Sequence, residues 1–562
     1  MKRTWMMRIT LALLTITSLA RPLAAVAAVA AAEHRDGTAQ LQLVEATIPQ
    51  LQQAIETGLL TSEQLVRMYR ARIAAYDQAG PGINAFLYLN PHALAEARQL
   101  DAQRHSGPAG LAPSPLYGIP VLLKDNVDAA GMPTTAGSMA LAGSLPPDDA
   151  SITRKLRQAG AILLGKSTLT EFANFLAIGM PTGYSSLGGF GFNPYDPRVL
   201  PGGDGRPVLQ TGGSSSGPGI GVDANLVTVA VGTETSGSIL SPASANGVVG
   251  IKPTLGLVSR DGILPITADQ DTAGPIARTV TDAAILLGVL AGFDLADPAT
   301  VPCLLPGRCF SDYTRFLDRK ALRGARIAVV TPIPTNRANL MNAAIKVLQA
   351  EGAEIEFLLE PFPAQLGTCV SVPPPTGCST VLLYGLKRDL SAYLAATPGA
   401  PNRTLAEIIA FNRTYLPPPK YGQALFEAAE QLDTSPGSPD TLRYLADRAE
   451  DLARSRGALD AVYNGPDGIR GTADDFVAIL ASANNFAAAP AKAGYPSITV
   501  PGGFVPPTAP IAHPFPSGVT FTGPAFSEPT LIGLAYAFEQ ATHHRQPPAS
   551  TPPLSADSVA RP

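Results

Sequence analysis

Tryptophan is all but absent. The single one is Trp5, so a chain that loses its first residues has none and fluoresces as a tyrosine protein. Histidine is scarce: His34, His92, His105, His513, His543 and His544. Of these, only His513 lies where a late triad histidine is expected, and its setting "PIAHPFP" reads as a loop. Charged residues make up only 15% of the 562, the formal net charge is −4, and there is no basic block. That composition excludes a nucleic-acid binder. With 45% hydrophobic residues, the chain is globular rather than disordered. After the first 32 residues no apolar run is long enough to span a bilayer.

The first 32 residues read as a secretory signal. "MKRTWMMR" is basic, "ITLALLTITSLA" is apolar but too short to span, and "PLAAVAAVAAA" offers A-x-A cleavage sites. Removing residues 1–32 takes out Lys2, Arg3, Arg8 and Arg21 and moves the net charge from −4 to −8. The expected location is periplasmic or secreted, with no stable membrane span in the mature form. An export signal followed by an even cysteine count favours disulfides. Cys303 with Cys309 and Cys369 with Cys378 are the local pairs, one of three possible pairings. The spacings are not those of a zinc site.

Helix and strand patterns alternate along the body. Thr61 and Gln64 have capping-box spacing ahead of Leu65, Tyr69, Ile73 and Tyr76. Ile119–Leu123 is a short apolar run ending at Lys124. "SITRKLRQAGAILLGKSTLTEFANF" reads as helix, turn at Gly160, strand, helix. Residues 194–219 read as a long Gly/Pro loop, "NLVTVAVGTETSGS" as a strand entering a glycine turn, and residues 380–460 as helix-rich. "GYPSITVPGGF" reads as a strand and "EPTLIGLAYAFEQATHH" as a closing helix. The alternation predicts one large α/β domain over residues 33–545, with a central mixed sheet flanked by helices. The tail from residue 546 is Pro/Ser-rich and predicted to be disordered. The acidic turn at residues 464–476 lacks the order of an EF-hand loop and reads as a solvated turn rather than a calcium site.

"TGGSSSGPG", residues 211–219, carries Ser214, Ser215 and Ser216. Gly/Ser runs are commonly linkers, but this one is short and lies between segments that read as core. Residues 213–217 also match G-x-S-x-G around Ser215, although what precedes them is not a convincing strand, and that motif requires one together with a later Asp and His. A serine without histidine can use lysine as its base, provided burial keeps the lysine neutral. Lys124, closing "GIPVLLK", is the candidate.

Taken together, "GIPVLLKDN", "GGSSSG", "GTETSGSI" and "NGVVGIKPTLGLVSRDGILPITADQDTAGPIARTVTDAA" resemble the amidase signature family. The resemblance runs through "AGAILLGKSTLTEFANF", "AGYPSITVPGG" and "SGVTFTGPAFSEPTLIGLAYAFEQ" and covers roughly residues 45–545. Its nearest look is to the bacterial peptide amidases. It implies a Ser–cis-Ser–Lys triad: Ser238 as nucleophile, Ser214 as the bridging serine 24 positions earlier, Lys124 as base. It also implies Ser215 as a supporting residue, and an oxyanion hole of N–H groups from Thr235, Ser236, Gly237 and Ser238. No cofactor or metal is implied. The expected substrates are C-terminal amides of peptides or amino-acid amides, with an aryl- or acyl-amidase or esterase on the same triad as the near alternative. A non-catalytic binding protein on the same scaffold is the alternative of another class. The tRNA-dependent amidotransferase branch is disfavoured by the export signal and the lack of a basic surface. Three features depart from the common pattern: Ser236 where glycine is frequent, Pro218 after the serines, and the added segment 196–210.

Overall fold

An eleven-stranded mixed sheet organises the computed structural model, which describes residues 39–106, 114–358, 379–415 and 419–561. From edge to edge its strands are Glu354–Phe357, Arg326–Val329, Ala478–Ser482, Phe515–Thr522, Ser497–Val505, Val249–Lys252, Thr272–Ala277, Val229–Glu234, Pro120–Lys124, Ile162–Ser167 and Phe86–Leu89. The strands at 229, 120 and 162 are mutually parallel, as are those at 354, 326 and 478; the middle of the sheet is antiparallel. Central strands such as "PVLLK" and "VAVGTE" are buried at every position. They lie between two helix layers, so both faces must be apolar and the period-2 pattern is lost. The predicted α/β class is the one observed.

Thr61 caps helix Ser62–Tyr76 in the expected capping box. A second apolar core gathers helices Thr380–Ala396, Leu405–Thr414 and Ala424–Glu430 into a lobe. Leu386, Leu390 and Phe426 there pack with Phe172 and Phe175 of the sheet's loops.

Three expectations are corrected. "EFAN" is not an α-helix: Phe172, Ala173 and Asn174 have φ of 46°, 55° and 71°, a left-handed turn. The loop expected over 194–219 ends early, because Ser216–Asp223 is a helix. Pro218 sits in its first turn, where a backbone N–H has no intrahelical acceptor to lose. The tail is ordered. Ser558–Arg561 pairs antiparallel with Ala39–Gln42. Arg72, fully buried, forms an ion pair with Asp557 at 2.5 Å and donates to the Thr551 carbonyl at 2.9 Å, while Tyr76 donates to Pro552 O at 2.6 Å. Composition pointed to disorder, but buried donors of the folded body satisfy the tail's carbonyls and carboxylate.

Cys303 and Cys309 are joined, as expected. The leader (1–32) and the pair Cys369–Cys378 lie outside the described residues. The 464–476 turn uses its own carboxylates: Asp474 accepts from Asp467 N at 2.9 Å and Asp475 from Gly471 N at 2.8 Å. Among the described residues no cluster of three or more His, Cys, Asp or Glu side chains is placed to hold a metal ion. None of their helices is long and apolar enough to cross a membrane.

Candidate active site

Strands Pro120–Lys124 and Val229–Glu234 run parallel as neighbours and deliver Lys124 and Glu234 at their carboxyl ends. In open α/β sheets that end of the strands is where sites form. Lys124 is fully buried. Its Nζ lies 2.8 Å from Ser214 Oγ and donates to Thr233 Oγ1 at 2.9 Å and Thr233 O at 3.2 Å. Asn126 Nδ2 holds the same Thr233 hydroxyl from the other side at 3.1 Å. Burial pushes the Lys124 amine down to about 7, while the carboxylates of Asp271 and Glu234 pull it back up. A neutral amine has two hydrogens and one lone pair. With both hydrogens on Thr233, the lone pair is left for the Ser214 hydroxyl.

The peptide bond between Gly213 and Ser214 is cis. Ser214 O accepts from Thr170 N at 3.0 Å. Ser215 is wholly buried, and its Oγ donates to Thr233 O at 3.0 Å and accepts from Thr233 N at 3.2 Å. Its hydroxyl is thus committed to the backbone of Thr233, the residue that also takes the Lys124 hydrogens. The G-x-S-x-G elbow is not formed, and His513 is exposed in the connection between Ser497–Val505 and Phe515–Thr522. Gly217 lets the serine helix dock on the strand ends. A Cβ there would come within 2.4 Å of Thr168 O and 2.6 Å of Ala85 O.

Ser215 N donates to Ser238 O at 3.1 Å, which sets the serine loop against the turn 235–238. The structure thus brings Lys124, Ser214, Ser215 and Ser238 into one site. Ser236, the departure from Gly-Gly-Ser, needs no left-handed conformation; the positive φ, 79°, falls on Gly237. One expected donor is corrected. Gly237 N–H does not face an open site, because it donates to Glu234 Oε1 at 2.7 Å. The same carboxylate accepts from Ile239 N at 2.7 Å and Leu240 N at 3.1 Å. Among the described residues no group accepts from the N–H of Thr235, Ser236 or Ser238.

Glu234 was missed by sequence reasoning, although a lone carboxylate closing the run "VTVAVGTE" was the available signal. Asp271 was missed too. It is buried, accepts from Ile266 N at 2.8 Å and Thr267 N at 2.9 Å, and is held by burial at about 7. A second buried pair, Lys166 with Asp125 at 3.1 Å, anchors the loop after Lys124. The added segment 196–210 is tied down by Tyr421, which donates to Asp204. Asp204 also pairs with Arg206 at 2.8 Å.

Known proteins resemble this chain over most of its length. The Amidase family model matches residues 64–371. A probable amidase of Arabidopsis thaliana is 37% identical over 512 residues, covering 90% of this chain and 91% of its own. The native peptide amidase from Stenotrophomonas maltophilia superposes with a TM-score of 0.76 at 40% identity, covering 90% of this chain and 99% of that one. An amidase family protein from Bacillus anthracis gives 0.78 at 35%, covering 90% and 92%. The chain belongs to the amidase signature family, and it is an amidase.

Proposed function

We propose that this amidase cleaves carboxamide C–N bonds with Ser238 as nucleophile, Ser214 as proton bridge and Lys124 as base. The observation that carries this reading is Lys124 Nζ, buried and 2.8 Å from Ser214 Oγ with Thr233 taking its hydrogens. Neutral Lys124 takes the proton of Ser214 as Ser214 takes that of Ser238, and Ser238 Oγ bonds to the amide carbon. The carbonyl oxygen becomes an oxyanion, received by the N–H groups of Thr235, Ser236 and Ser238; each such donor is worth roughly 3 kcal/mol. The proton returns along the relay to the leaving nitrogen, the C–N bond breaks, and an acyl-Ser238 ester remains. Water, deprotonated by the same relay, hydrolyses the ester and frees the serine. Apart from the amide and the water, the groups in this cycle are side chains and backbone of this chain.

The proposed substrates are C-terminal amides of peptides or amino-acid amides, releasing ammonia. Two things support that choice: the 40% identity to a protein described as a peptide amidase, and the "GTETSGSI" block in the sequence. The proposed setting is outside the cytoplasm, supported by the leader-like residues 1–32.

Ammonia release from peptide amides, free amino-acid amides and anilides tests the reading, with Ser238→Ala and Lys124→Ala alongside. Release from peptide amides, lost in both variants, is the expected result. Activity on anilides or esters alone, lost in both, keeps the triad and changes the substrate. Full activity in Ser238→Ala overturns the proposed nucleophile.

A further inference from the structure

The turn that offers the oxyanion donors is gripped from two directions. From behind, Glu234 binds the N–H groups of Gly237, Ile239 and Leu240. From the flank, two residues absent from the mechanism so far close on Thr235. Asp271 Oδ1 accepts from Thr235 Oγ1 at 2.5 Å, and Gln270 Nε2 donates to Thr235 O at 3.3 Å. Both are buried.

A trans peptide unit is planar, and its C=O and N–H point in opposite directions. The hydrogen bond from Gln270 to Thr235 O therefore fixes where Ser236 N–H points. A small cavity borders Thr235, lined among others by Asn126, Thr233, Arg260, Ile266 and Asp271.

The loop carrying Gln270 and Asp271 is braced by the helical layer. Asp269 accepts from Tyr444 at 2.8 Å and is paired with Arg388 and Arg448, each at 3.3 Å; Asp389 accepts from Ala268 N at 2.7 Å. Gly385 lies close enough that a Cβ would come within 2.2 Å of Thr267 Oγ1. Helices Thr380–Ala396 and Pro439–Tyr463 thus hold the loop, and the loop holds the turn.

We propose that Gln270 and Asp271 are positioning residues that aim the oxyanion donors of this amidase through the carbonyl and hydroxyl of Thr235. The proposal rests on the triad reading above. It assigns transition-state alignment to two side chains that reach the turn through Thr235.

The test compares Gln270→Ala, Thr235→Val and Thr235→Ser with the parent chain. Removing one oxyanion donor outright slows turnover about 10²–10³-fold, so a misaimed donor is expected to cost about 10–100-fold. Gln270→Ala and Thr235→Val should lose that factor in kcat on a peptide amide, with KM within about threefold. A peptide aldehyde adds to Ser238 to give a tetrahedral oxygen in the same position, so its affinity should fall in parallel with kcat. The matching peptide alcohol, which forms no such oxygen, should bind unchanged. Thr235→Ser keeps the hydroxyl for Asp271 and should recover most of the loss.

An unchanged kcat in both Gln270→Ala and Thr235→Val overturns the proposal. So does an equal loss of aldehyde and alcohol binding, or a Thr235→Ser as slow as Thr235→Val. If Gln270→Ala does not fold, the Thr235 pair decides alone. A parent chain that neither releases ammonia nor binds the aldehyde overturns the triad reading and this one with it. A parent that is active and dependent on Ser238, with unaffected variants, overturns only this one.

Discussion

Lys124 Nζ lies 2.8 Å from Ser214 Oγ, and neither side chain reaches solvent. A lysine in that position keeps its lone pair only because the protein withholds water from its charged form. Burial is thus part of the chemistry and not simply a result of packing, and most of what can be tested follows from it.

Activity should rise with pH through neutrality. Below about 7 the Lys124 amine is protonated and cannot accept from Ser214. A rate–pH profile on a neutral amide should therefore show an acid limb centred near that value, and an acid optimum would count against a lysine base.

The same shift has a stability side. Its folded value of about 7 lies below the ordinary lysine value of 10.5, so between those limits the unfolded chain holds more protons than the folded one. Stability from this group must then increase with pH across that window. Lys124→Met should abolish activity and flatten the rise, measured as the unfolding midpoint in urea from pH 7 to 10.

Glu234→Ala should damage both fold and rate. It strands the N–H groups of Gly237, Ile239 and Leu240, and each buried unsatisfied donor costs about 1–3 kcal/mol. A lowered thermal midpoint together with at least a tenfold loss of kcat is expected. A change in neither would mean the turn holds itself.

Asp557→Ala should destabilise the chain without touching the chemistry. It leaves the buried Arg72 guanidinium without its carboxylate, and breaking one side of such a pair costs about 3–5 kcal/mol. Denaturant unfolding checks the loss. A kcat that falls while stability holds would mean the tail has a role in catalysis.

Ammonia release should survive incubation with EDTA, because the relay uses only Lys124, Ser214 and Ser238. Loss restored by an added metal ion would overturn the proposed cycle.

The sequence was most informative where local pattern and chemistry coincide. Lys124 closes an apolar run, Ser214 and Ser238 lie in glycine settings, and the α/β alternation is plain in the strands that carry them. It was silent on contacts made across the fold. Gly237 read as a free donor because Glu234, three residues earlier, reaches it only once the chain turns. Asp271 lies 36 positions from Thr235, so no local spacing announces the bond. "EFAN" has helical composition, yet it must double back where Phe172 enters the second core. The tail failed for a related reason. Its Pro/Ser composition describes a segment with no core of its own, whereas its order comes from Arg72 and Tyr76, about 480 residues away.

That closure of the tail bears on how the protein comes into being. The strand Ala39–Gln42 emerges early and, among the described residues, pairs only with Ser558–Arg561, at the far end of them. During synthesis its edge stays unpaired until Ser558–Arg561 has appeared, and contacts this distant in sequence form slowly. A chain cut ahead of Asp557 would leave that strand without its partner and Arg72 buried without its carboxylate. Such a chain would show its fault in a segment made long before the cut.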